Sequence, residues 1–159
     1  MILDLQTMFS GAVALDGTKT AQGPITATQI SANVVDLRNS SVLALADEGI
    51  QGTQDVWLEV KVAQVFNNLT SLTITLESDV AAGLATLPVV HSSFTVLLAA
   101  LLANTTVVRL LLPSADYKRF LGLRYTVNGA APTTGTLLAA ISLDTQRNKT
   151  YPAGFTIDA

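Results

Sequence analysis

The sequence predicts an all-β domain, a sandwich or jelly roll, and three observations carry that expectation. Short segments alternate apolar and polar side chains, the period of a strand with one buried face. Clusters of Gly, Asn, Pro and Thr separate these segments and supply turns rather than long connections. About eight short strands with at most one helix favour a sandwich or jelly roll over an α/β arrangement.

Ile25 to Thr28 and Asn33 to Leu37 read as short strands. In DVWLEVKV, Val56, Leu58, Val60 and Val62 fall on one face, while Trp57, Glu59 and Lys61 fall on the other. SLTITLES repeats the pattern, with Leu72, Ile74 and Leu76 opposed to Thr73, Thr75 and Glu77. The intervening FNNLT is rich in turn formers, so these two segments are expected to pair as a hairpin. Phe94, Leu97, Leu98, Leu101 and Leu102 satisfy helical spacing behind a Ser92 or Ser93 cap, which predicts a short helix. Val107 to Leu112 reads as a strand ended by Pro113, which has no N–H to donate to a ladder. Leu121, Leu123, Tyr125 and Val127, then Leu137, Ala139, Ile141 and Leu143, alternate on either side of NGAAPTTG and predict a second hairpin. No internal repeat is visible.

A chain of 159 residues makes one ordinary domain with a sizeable core. Residues 1–12 and 145–159 lack a core pattern and read as arms flanking a domain at 13–144. Chain ends fray unless something ties them down, so such arms point to an assembly. Composition points the same way: 49% of residues are hydrophobic and 13% charged, against a usual charged share of about 25%. A net charge of -3 offers no basic footprint for phosphate, so nucleic acid is not expected as a partner. With no cysteine, disulfides, thiol catalysis and thiolate metal sites are all excluded. The amino end carries Asp4 early and no Lys or Arg before Lys19, and so does not read as a secretion signal. The most apolar run, Phe94 to Ala103, is about half the ~20 residues a membrane span needs and reads as core.

The search for chemistry is sparse in results. His91 is the only histidine and no G-x-S-x-G elbow occurs, so the expectation is a loop histidine between two strands rather than a triad member. Asp47 with Glu48, and Glu77 with Asp79, lack the spacing of a calcium loop and read as solvated turn residues. DGTKT, from Asp16 to Thr20, lacks the glycines of a phosphate loop and reads as a turn. Asn-x-Ser/Thr triplets at Asn39, Asn68, Asn104 and Asn148 are within chance for so Asn- and Thr-rich a chain. No catalytic, metal or cofactor-binding residue is assigned. Trp57, on the outer face of its strand, reads as an interface anchor or a packing residue in preference to a sugar platform.

ITATQISANVVDL, DVWLEVKVAQVF, SLTITLESD and LLPSADYKRFLGLRYTVNGAAPTTGTLLAAI occur in an order and spacing that resembles the jelly-roll capsid cement (decoration) proteins of tailed bacteriophages, podovirus-type ones above all. The likeness spans about residues 1 to 144, and its most specific parts are Asn33 to Leu37 and Pro113 to Val127. The resemblance implies a non-enzymatic jelly roll that forms a homotrimer on the outer surface of the virion head. There it would bridge junctions between major capsid protein subunits, without cofactor, membrane or direct nucleic-acid contact. This chain departs from the pattern in its longer end, RNKTYPAGFTIDA.

Under that implication the expected contact residues are Met8 and Phe9 in the first arm and Tyr151, Pro152 and Phe155 in the last, all of them in segments without a core pattern. Such arms suit addition to a neighbour's sheet edge. Arg119 and Arg124 read either as partners for carboxylates on the capsid or an adjacent subunit, or as ordinary surface charges. The competing expectation is a receptor- or carbohydrate-binding jelly roll of a phage tail or adhesin, with a glycan site near Trp57 or Tyr125.

Overall fold

The computed structural model describes residues 7–14, 18–37, 56–113 and 115–142 of the chain. The features expected at Asp16, Asn39, Asp47, Glu48, Asn148, Tyr151, Pro152 and Phe155 lie outside the described residues. In chain order the strands are β1 (Met8–Ser10), β2 (Ala12–Val13), β3 (Lys19–Thr20), β4 (Gln29–Ile30), β5 (Val35–Asp36), β6 (Trp57–Gln64), β7 (Leu69–Asp79), β8 (Val89–Leu97), β9 (Thr106–Leu111), β10 (Phe120–Gly129) and β11 (Thr136–Ser142). One sheet runs β1-β11-β6-β9, the other β4-β10-β7-β8 with β5 also on β10, and β2 pairs with β3 in a small ribbon.

This order is that of a jelly roll, and it follows from one nest of antiparallel pairs. β7 with β8 is innermost, then β6 with β9, β4 with β10, and β1 with β11 outermost. Rolling the nest sets β11 beside β6 and β10 beside β7, which produces two antiparallel sheets face to face. The alternation read in the sequence supplies the two inner faces. Leu58, Val60 and Val62, Leu72, Ile74 and Leu76, Leu121, Leu123 and Tyr125, and Leu137, Ala139 and Ile141 are all buried in one continuous core. Each buried Leu or Ile contributes about 1.5–3 kcal/mol relative to an exposed one. One end of the sandwich is closed by buried Phe66. Its ring lies where a Cβ on Gly135 would come within 2.3 Å, and Gly135 has φ +129, so the position takes only glycine.

Both expected hairpins are corrected. β6 and β7 do not pair, and neither do β10 and β11; each couple is divided between the two sheets. Residues 65–68, with Asn68 at φ 66, carry the chain across the sandwich. Sheets packed face to face lie about 10 Å apart, a gap that a few residues span. Alternation reports which face of a strand is buried and says nothing about which strand lies beside it.

The predicted helix at Phe94 to Leu102 is also corrected. β8 continues to Leu97, and only Leu98–Ala100 form a 3-10 turn, without a side-chain cap. Ser92 and Ser93 are strand residues. Phe94 and Val96 pack onto the core at period two, which outweighs the coincident helical spacing. Ile25 to Thr28 is no strand: Gln29–Ile30 pair instead, while Ile25 is buried and its N–H donates to the Gly135 carbonyl at 3.0 Å. The other two short expectations shrink or shift to Val35–Asp36 and Thr106–Leu111.

Candidate functional site

The residues with chemical potential are turned inward. His91 sits in β8 at a register shift opposite Leu76 and Glu77, not in a loop, and its Nε2 lies 2.7 Å from Ser78 Oγ. Ser78 is fully buried and also accepts the Lys118 N–H at 3.0 Å. The imidazole leans on Tyr117, ring centroids 4.4 Å apart. Burial, and secondarily the Lys118 charge, hold the His91 pKa below its ordinary value. Asp79, next along β7, directs its carboxylate to the backbone of the following loop, so it does not orient the imidazole as an acid behind a base would. Glu77 and Asp79, expected as solvated turn residues, are buried strand residues. Among the described residues no group of three His, Cys, Asp or Glu is placed to hold a metal ion, and no helix is long and apolar enough to cross a membrane.

Both expected arginines already have partners within the chain. Arg119 lies on Asp36, Nη2 to Oδ2 2.8 Å, with its guanidinium 4.8 Å from the Phe120 ring centroid. Arg124 lies on Glu77, Nε to the two carboxylate oxygens at 3.1 and 3.0 Å. Met8 and Phe9 are buried in β1, which pairs with β11, so the sandwich takes in residues expected as an arm. Their side chains are enclosed and offer a neighbour nothing to touch. Trp57 remains half-exposed at the end of β6, in register with Leu111 on one side and Ser142 on the other.

What the fold does present is an asymmetry between its two long sides. On the β1 and β4 side the Asn33 N–H donates to the Phe9 carbonyl at 2.9 Å, and Ser31 N–H to the Leu123 carbonyl at 2.7 Å. A polar chain, buried at its Ser10 and Tyr125 end, lies between them. Gln22 Oε1 accepts the Ala32 N–H at 2.7 Å and Ser10 Oγ at 2.6 Å, while Gln22 Nε2 donates to the Ile30 carbonyl at 3.0 Å. Because Ser10 has one proton and gives it to Gln22, the Tyr125 hydroxyl 2.6 Å away donates to Ser10. Burial pushes the Tyr125 pKa well up. These edges are short, interrupted and internally bonded, as protected sheet edges are.

The β8 and β9 side is different. These strands end their sheets and are joined by the short connection 98–105. VVHSSFTVL of β8 contains neither a charged residue nor proline, two of the devices that discourage pairing, and is interrupted only by the bulge at His91. Val89, Val90 and Leu97 of β8, Leu102 of the connection and Leu111 of β9 are all exposed. The only charge on β9, Arg109, is neutralised by Glu59 at 2.8 Å. Sequence reasoning missed this surface because Phe94 to Leu102 read as a helix, which hid the free strand edge within it.

The described residues thus form a jelly-roll domain with one sealed and one open side. The chain belongs to the Bbp16 family, whose model matches residues 19–141, from β3 through most of β11. No curated protein matches it.

Proposed function

We propose that the chain is a structural cement (decoration) protein of a tailed bacteriophage. It binds as homotrimers on the outside of the head, over junctions between major capsid protein subunits, and stabilises the expanded, DNA-filled shell. The observation that carries this reading is the open side, where β8 is an uncharged strand edge flanked by exposed Val90, Leu97 and Leu111. Such an edge is a liability in a solitary protein and suits one that is covered in use. The resemblance of the ordered motifs to phage cement proteins supports the major capsid protein as partner, and the jelly roll is the fold that resemblance implies. Three modest contacts made by one trimer reinforce each other through effective concentration, so no single contact has to be strong. Partners are the major capsid protein and further copies of the chain, with no nucleic acid, membrane or cofactor.

The competing module for glycans or receptors loses one of its two expected platforms, since Tyr125 is enclosed, and retains Trp57. Mixing the purified chain with expanded capsids that lack it, sedimenting the shells and measuring their rupture temperature separates the readings. Saturable binding in threes with a raised rupture temperature is expected. A trimer that ignores the shells and binds an arrayed glycan, with that binding abolished by Trp57→Ala, would overturn the proposal.

A further inference from the structure

Residues 80–90, VAAGLATLPVV, contain no charged side chain, and Val80, Leu87 and Val90 are 54%, 66% and 55% exposed. Surface connections are ordinarily polar and mobile. This one is apolar and is held in place from three directions. From below, buried Asp79 accepts the N–H groups of Val80 at 2.6 Å, Thr86 at 2.8 Å and Leu87 at 3.1 Å. Burial alone would raise the Asp79 pKa, but the N–H groups of Thr86, Val80, Leu87 and Ala81 outweigh it and hold the carboxyl below its ordinary range. From one side Arg124 Nη2 donates to the Leu84 carbonyl at 2.6 Å, and from the other Lys118 Nζ donates to the Leu87 carbonyl.

The tip of the loop is fixed by strain. Leu84 has φ 47, a left-handed conformation that bulky residues avoid unless their surroundings enforce it. Its side chain is fully buried over Gly122, where an added Cβ would stand 2.7 Å from Leu84 Cδ1. One leucine is thus a plug that pins the loop, and Leu87 and the valines are left facing outward. Strain of this kind, enforced by surrounding structure, marks segments whose shape is used.

We propose that this loop, with Val89 and Val90 of β8, is a preformed knob that enters an apolar, uncharged pocket on the major capsid protein. The proposal rests on the cement reading and assigns its contact. Rigidity matters because a loop already in its bound shape loses little freedom on docking, and apolar anchors surrounded by polar groups dominate contact energies. The charge arrangement selects a protein over an anionic lipid surface. A membrane-inserting loop is flanked by several outward-facing, uncompensated Lys and Arg, whereas Arg119 is paired with Asp36, Arg124 with Glu77, and Lys118 turns its ammonium onto the Leu87 carbonyl of the loop itself.

Titration of Leu87→Asp and Val80→Asp onto expanded shells tests the assignment. Both positions are exposed, so folding is left intact. Val65→Asp is the control, at a valine 45% exposed and at the opposite end of β7. Wild type and Val65→Asp are expected to bind alike, and each loop variant at least about tenfold more weakly, since an anchor lost from each of three sites is multiplied across the trimer. Undiminished binding by the loop variants would overturn the knob and leave the cement reading standing, whereas failure of wild type to bind would overturn both. Asp79→Asn keeps every apolar side chain and turns an amide donor toward the backbone N–H groups. It is expected to weaken shell binding with trimer assembly unchanged, and full binding by this variant would overturn the role of preorganisation.

Discussion

Replacing Arg124 by Met separates a buried ion pair from the surface kind. The Arg124 and Glu77 side chains are 29% and 5% exposed, and Arg124 Nη2 reaches Glu77 Oε2 at 3.0 Å. Arg109 and Glu59 make a shorter contact, 2.8 Å, but at 34% and 19% exposure. If distance decided the energy, the surface pair would be the stronger. If desolvation decides it, removing Arg124 strands a carboxylate left with the Thr75 hydroxyl at 2.7 Å, and leaves the Leu84 carbonyl without its donor. Loss of one member of a buried pair costs about 3–5 kcal/mol; the partial exposure of Arg124 puts the expectation at the low end, about 3 kcal/mol. Arg109→Met is expected to cost at most about 1 kcal/mol. At roughly 2–4 °C per kcal/mol for a chain of this size, Arg124→Met should lower the melting temperature by about 6–12 °C. The double variant Arg124→Met with Glu77→Met, which removes the stranded charge, should recover most of that loss. Urea titration of the wild type, Arg124→Met, Glu77→Met and the double variant gives the cycle, with Arg109→Met measured beside it. A double variant no more stable than Arg124→Met, or equal losses at Arg124 and Arg109, would refute the reasoning.

Gly122→Ala places a methyl 2.7 Å from Leu84 Cδ1 and 2.9 Å from Val34 Cγ1, so it is expected to cost about 1–3 kcal/mol by overpacking, read from the urea midpoint, and to loosen loop 80–88. Tyr125→Phe removes one buried donor while Ser10 keeps its bond to Gln22; a loss of about 1 kcal/mol is expected, with shell binding unchanged because the hydroxyl is internal. His91 has a folded pKa below the ordinary 6.5, so on acidification the unfolded chain takes up the proton first. Stability should therefore be intact above about pH 6.5 and decline as pH falls from there toward the folded pKa, and melting curves of His91→Gln should lack that decline.

Where one face of a strand is buried and the other is not, the sequence was readable to the residue. Leu58, Val60 and Val62, and Leu72, Ile74 and Leu76, point inward as their alternation implies. Pairing was not readable, because Gln64 to Leu69 and Gly129 to Thr136 are short enough for a hairpin and also long enough to cross the sandwich. Phe94 to Leu102 failed for a related reason: apolar residues at one spacing served both periods until the core claimed Phe94 and Val96. The candidate surface was legible only in its composition. Nothing local in VAAGLATLPVV says that Asp79, Arg124 and Lys118, one adjacent in sequence and two distant, converge to hold it. The arginines misled for the same reason, since their carboxylates, Asp36 and Glu77, are separated from them by dozens of residues and become neighbours only through β10 pairing with β5 and β7.

The open side follows from the topology itself. In a rolled nest of pairs the outermost couples, β1 with β11 and β4 with β10, leave β1 and β4 as the edges of one long side. Polar connections reach that side, and Gln22, Ser31 and Asn33 from residues 18–37 close it. The innermost couples leave β8 and β9 as the edges of the other side, and the chain between them is the short run 98–105, which turns the corner with Leu102 outward. No described connection lies across β8. A solitary jelly roll answers this with charge, proline or bulges on the free strand; β8 has neither charge nor proline and is bulged only at His91. On the cement reading proposed above, that side is the one a neighbour covers. The loop beside it is apolar and is held by buried Asp79 and by Arg124 and Lys118, the preorganisation that the proposed contact uses.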